Sequence, residues 1–220
     1  PSLVGSEMCI RDSFCAGTTV KFMRDDITTS DAWLSSLIRE DAEAVRQGLD
    51  IISDDLAKLA KRLIKEGGVT GIYFSLQNLL GEGMTKDVYD AVLRPGEEKI
   101  LAAANSVSDY NILHICGWSG HHNDLTWYAD YDVKTINWAA VVEQVSLEEG
   151  RKIFGNRCAL GGFDNTEDGI LYSGSKEAIE KETKRLLENA GRQGIILGAD
   201  CTVPRDTDWN HFRWVREAAR

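Results

Sequence analysis

The strongest constraint on this chain is its rhythm, in which short apolar runs recur and amphipathic helical stretches separate them. Val69-Thr-Gly-Ile-Tyr-Phe-Ser75, Asn111-Ile-Leu-His-Ile-Cys116, Lys134-Thr-Ile-Asn-Trp138, Cys158-Ala-Leu-Gly-Gly-Phe163 and Gly194-Ile-Ile-Leu-Gly-Ala199 read as strands, with a weaker candidate near Ala16–Val20. Fully apolar runs such as Ile195-Ile-Leu197 suit strands covered on both faces. Between them lie helical signatures. Ser53 is placed to cap a helix carrying Leu56, Leu59, Leu63 and Ile64 that stops at Gly67, and a second helix spans about 86–104. Ser175 caps a third helix, with Ile179, Leu186 and Leu187 inside and Gly191 at its end, and Asp206 or Asp208 opens the last one.

Strands alternating with helices imply βα units and a parallel sheet. A doubly wound open sheet shares that rhythm, but it commonly carries a glycine-rich phosphate loop straight after a strand. Gly81-Glu-Gly83 lacks the third glycine and lies too far downstream. The expectation is therefore α/β, a (β/α)8 barrel. The five to six strands present would leave it unclosed, as in a barrel truncated at its N-terminus.

Residues 1–13 have no helical or strand period, and they lack the basic start and apolar stretch of a signal peptide. They resemble a translated sequencing adapter and are expected to be a non-native leader, with the barrel domain spanning 14–220. A net charge of −10 argues against a nucleic-acid surface, which needs concentrated basic charge. No run of 18 apolar residues is present, so no membrane span is expected. Five cysteines, an odd number scattered through a large chain, fit a reducing, cytoplasmic compartment better than a disulfide framework.

His114 and Cys116 stand two residues apart at a strand end, so their side chains share one face. In a barrel that end is the mouth, where active sites sit. Cys201 follows the last apolar strand at the same end. One imidazole and two thiolates are good zinc ligands, and three of them leave a fourth position open. The competing reading is packing, because cysteine is among the most buried residue types. Cys158, at the start of its strand, reads as core. His121 and His122 read as loop or substrate contacts, either of them able to supply a fourth ligand, and His211 as structural.

The chain resembles the uroporphyrinogen decarboxylase superfamily, through Gly71-Ile-Tyr-Phe-Ser75, Asn111-Ile-Leu-His-Ile-Cys-Gly117, Gly161-Gly-Phe-Asp164, Ile195-Ile-Leu-Gly-Ala-Asp-Cys-Thr-Val-Pro204 and Val215-Arg-Glu-Ala-Ala-Arg220. Within it, the His-x-Cys pair and Cys201 resemble the cobalamin-dependent, zinc-containing methyltransferases. True decarboxylases lack that pair and carry a histidine where Cys201 stands. The resemblance implies zinc on His114, Cys116 and Cys201, a small thiol substrate and a partner protein carrying a methylated corrinoid. Tyr73, Ser75, Gln77, Asn137, Asp164 and Asp200 are candidates to line the substrate pocket, and equally explicable as polar filling at strand ends. Two alternatives stand beside this: porphyrinogen decarboxylation, which needs cationic groups and no metal, and an incomplete barrel inactive by itself. The oligomeric state stays open.

Overall fold

A computed structural model describes residues 10–14, 30–77, 83–118 and 122–220. Helices alternate with strands along it, in an α/β fold consistent with part of a (β/α)8 barrel. The chain divides into two compact units. One runs to His114 and takes in 130–134; the other comprises 115–129 and 135–220. The strand candidate near Ala16–Val20 lies outside the described residues.

In the first unit, β1 (Ile10–Phe14) pairs in parallel with β2 (Gly71–Leu76), with Ile10 opposite Gly71 and Phe14 opposite Ser75. The last four residues of the stretch read as a leader thus supply backbone hydrogen bonds to an edge of β2, although their own sequence has no strand period. β3 (Ile112–Ile115) neighbours β2 on the other side. Its entry is fixed by Asn111, whose Oδ1 accepts from the Ile72 backbone N–H at 3.0 Å while its Nδ2 donates to the Ser108 carbonyl.

The helix before β2 is longer than the sequence suggests. α1 spans Ser30–Lys65 and is interrupted at Asp41, whose φ of −153° and ψ of 84° are extended. Asp41 Oδ1 accepts from the Ala44 N–H at 3.0 Å, so this residue caps the second half of the helix. Ser53, expected as the cap, is instead fully buried in the helix interior. The stripe that packs is Leu49, Ser53, Leu56 and Ala60, at four- and three-residue spacing, whereas Leu59 is 48% exposed. Ser53 is small because α3 crosses there: a Cβ on Gly96 would lie 2.4 Å from Ser53 Oγ. A capping residue and a close-packing residue share the same letter, and only the neighbouring helix separates the two readings.

The single helix expected over 86–104 is two, α2 (Lys86–Val92) and α3 (Arg94–Asn105), joined at Leu93. Pro95 has no N–H to extend the first helix and favours a start position in the second. Between α2 and α3, buried Glu97 accepts from the hydroxyls of Tyr89 and Tyr131, each at 2.5 Å.

In the second unit, β4 (Thr135–Trp138), β5 (Cys158–Phe163) and β6 (Ile195–Ala199) pair in parallel in chain order. Short helices α4 (Ala140–Glu143), α5 (Leu147–Ile153) and α6 (Ile170–Ser173) fill the connections. α7 (Lys176–Ala190) is capped by Ser175 and closed by Gly191, and Asp208 caps α8 (Trp209–Ala218). The core gathers Phe163, Leu171, Ile179, Leu186 and Val215, with Leu197 and Phe212 against it. β6 is only half-buried, despite its apolar run. It is the last strand of the order, so its outer side has no strand partner among the described residues.

Candidate metal centre

His114 and Cys116 come from the end of β3, and Cys201 from two residues beyond β6. The three side chains expected to converge do so: one ligand atom from each lies within 4.8 Å of the others. The Cys116 and Cys201 sulfurs are 4.0 Å apart. That is far too long for a disulfide, where sulfurs sit about 2.05 Å apart. It is close to the ~3.8 Å that two thiolates adopt on one tetrahedral zinc with Zn–S bonds of about 2.3 Å. The two sulfurs thus already stand close to the spacing of a shared zinc ion, and one imidazole and two thiols are a donor set that suits it. His114 is buried, and the aromatic ring of Tyr73 stacks on it at 4.9 Å with 25° between the planes. Both cysteines are half-buried.

Cys201 is placed by the residue before it. Asp200 is 1% exposed; one carboxylate oxygen accepts from the Val141 N–H and the other from the Gly162 N–H, both at 2.9 Å. Burial pushes this carboxyl up to about 7, against the downward pull of those two N–H groups. Asn137, fully buried, donates from Nδ2 to the carbonyls of Leu160 and Ala199 at 2.9 and 3.3 Å. Both side chains approach Gly161: a Cβ there would stand 3.3 Å from Asn137 Nδ2 and from Asp200 Oδ1. Gly161 and Gly162 also hold φ of 139° and 105°, which favour glycine. Asn137 and Asp200, expected to line a pocket, thus tie β4, β5 and β6 together.

Cys116 is held by Asn123, whose Nδ2 donates to the Cys116 carbonyl at 2.9 Å and to Glu143 Oε1 at 2.8 Å. The Glu143 side chain is only 3% exposed, and both its oxygens accept from the Asn123 backbone N–H. His122 Nδ1 lies 3.5 Å from Glu143 Oε2. His121 lies outside the described residues. Sequence reasoning missed Asn123 and Glu143. Asn123 sits in the loop after β3 and could have been singled out there, but nothing in the sequence ties Glu143, twenty residues further on, to it.

The remaining candidates are placed as follows. Ser75 and Gln77 are buried at the end of β2. Asp164 is half-buried and accepts from the Thr166 N–H at 2.8 Å. Cys158, half-buried at the start of β5, has its thiol pushed up by burial. His211 meets the Leu171 carbonyl through Nδ1 at 2.7 Å and stacks on Trp214, away from the metal-ligand cluster.

Parallel strands with connecting helices, with His114, Cys116 and Cys201 grouped as potential metal ligands, make an α/β fold consistent with part of a (β/α)8 barrel. The model of the uroporphyrinogen decarboxylase (URO-D) family matches residues 23–220. The chain belongs to that family, whose members are enzymes. No curated protein matches it. Among the described residues no helix is long and apolar enough to cross a membrane.

Proposed function

We propose that this chain carries the zinc centre of a thiol methyltransferase, which moves a methyl group from a corrinoid on a partner protein to a small thiol. The observation that carries the reading is the cluster itself: two sulfurs 4.0 Å apart, with an imidazole completing three donors inside 4.8 Å. His114, Cys116 and Cys201 would hold the ion. When bound, zinc supplies a Lewis acid that favours the thiolate form of a coordinated thiol. The chain's own part is positional. Stacking against Tyr73 limits the ring plane of His114, and Asp200 and Asn123 hold the two cysteine-bearing backbones. The half-buried thiols leave a side on which substrate sulfur can enter. The partner's methylated corrinoid would supply the methyl group, its cobalt keeping the bonding pair as the thiolate sulfur takes the methyl carbon. Tyr73, Ser75, Gln77 and Asp164 remain candidates for substrate contact, and the cytoplasm is the compartment that reduced thiols favour.

Decarboxylation of a porphyrinogen, the reaction in the family's name, is the rival reading. It calls for cationic groups around the substrate carboxylates, and the cluster offers two thiols and one imidazole. Purified protein is expected to contain about one zinc per chain and to methylate 2-mercaptoethanol from methylcobalamin. Cys201→Ser should lose both properties, and Cys201→His should hold the metal less tightly. Zinc-free protein that decarboxylates uroporphyrinogen would reverse the assignment.

A further inference from the structure

We infer that helix α4 is a bracket setting the separation of the two thiols, with Glu143 as its positioning residue; this rests on the metal-site reading above. The helix has four residues, Ala140–Glu143, too short to hold its own shape in water. Its position is therefore set by what its two ends bind, and each end reaches one cysteine. At the start, the Val141 N–H donates to Asp200 Oδ2, and Asp200 is bonded directly to Cys201. At the far end, Glu143 takes the Asn123 N–H on both oxygens and the Asn123 amide on Oε1. The same amide donates to the Cys116 carbonyl. One turn of helix thus joins the backbone at Cys116 to the backbone at Cys201.

Two further features single out Glu143. Its side chain is 3% exposed, an uncommon place for a carboxylate whose only role would be surface polarity. The residue after Cys116 is also glycine, and a Cβ on Gly117 would lie 2.3 Å from Glu143 Oε1. The backbone next to the ligand and the carboxylate occupy adjoining space that any larger side chain would take. His122, 3.5 Å from Oε2 and largely exposed, closes the solvent side of the carboxylate.

The test is zinc affinity of the full chain, measured by competition with a chromophoric chelator, together with the cobalt–thiolate charge-transfer absorption of the Co(II)-loaded protein. Glu143→Gln keeps shape but offers an N–H₂ where acceptors are needed. Its zinc affinity should fall about 10–100-fold, the usual cost of losing a residue that orients a ligand. The Co(II) band should weaken or shift, since the two thiols no longer present one spacing. Asn123→Ala removes the amide link to Cys116 and leaves the rest of the bracket; it should show the same loss, and it decides the matter if Glu143→Gln does not fold. Folded variants that bind zinc as tightly as the parent, with an unchanged Co(II) spectrum, would overturn the bracket and leave the metal site standing. A parent chain that takes up no zinc would overturn both.

Discussion

Zinc should raise the melting temperature of this protein, and Cys201→Ser should abolish the rise. The sulfurs at 4.0 Å need to close by only ~0.2 Å to reach the tetrahedral spacing, so little binding energy is lost to rearrangement. Binding to the folded state alone stabilises it by about 2.7 kcal/mol when free zinc is 100 times its dissociation constant. For a chain of this length each kcal/mol moves the midpoint by about 2–4 °C, so a rise of roughly 5–11 °C is expected. In Cys201→Ser, one of three donors becomes a hydroxyl, a far poorer zinc ligand. The same free zinc should then shift the midpoint by under about 2 °C, because RT ln(1 + [Zn]/Kd) tends to zero once Kd exceeds the free concentration. Differential scanning calorimetry in a zinc buffer reads both numbers, with metal-free midpoints as the control. Equal rises in parent and variant would show that the stabilising ion sits elsewhere and would refute the reasoning.

Asp200→Asn should destabilise the metal-free protein by about 1–3 kcal/mol in urea unfolding, because its N–H₂ must face a backbone N–H that the carboxylate now satisfies. Unchanged stability would mean that the clamp across β4, β5 and β6 does not matter. Cys158 should be alkylated by iodoacetamide more slowly than a thiol of ordinary acidity: burial raises its pKa, so at pH 8 less of it is thiolate. Peptide mapping over time checks the rate, and labelling as fast as an unfolded control would count against it. Gly96→Ala should cost about 1–3 kcal/mol through its approach to Ser53 Oγ, and Ser53→Gly should recover part of that loss in the double variant. Additive effects of the two changes would rule out the contact.

The legible parts of this structure were those written in local physics. Ser175 and Asp208 stand where short polar side chains meet orphan N–H groups, and five of the six strands fall on the β-branched and apolar runs. The His114–Cys116 pair was legible because a two-residue period fixes one face. Its meeting with Cys201 came partly from their shared place at strand ends and partly from family resemblance. What was not legible depended on neighbours distant in sequence. Ser53 looked like a cap until α3 supplied Gly96 as its contact. The helix over 86–104 breaks at Pro95, which has no N–H to continue the preceding turn. β1 has no pattern of its own and is recognisable only through its register with β2. Asn137 and Asp200 looked like pocket residues because buried polar groups at strand ends often are. Together they also bond backbone groups of β5, β6 and α4, partners that only the fold brings near.

That last difference bears on how the site can be altered. Asp200, Asn137 and Asn123 all act on backbone groups, and Gly161 leaves the room that the first two need. The frame that aims the cysteines is thus built from residues other than the thiols. A substitution at Cys116 or Cys201 can change the chemistry while the strand ends stay where they are. A substitution in the frame should do the reverse, keeping both thiols but changing the spacing at which they are presented. Here the frame presents two sulfurs and one imidazole, with a ligand atom of each within 4.8 Å of the others.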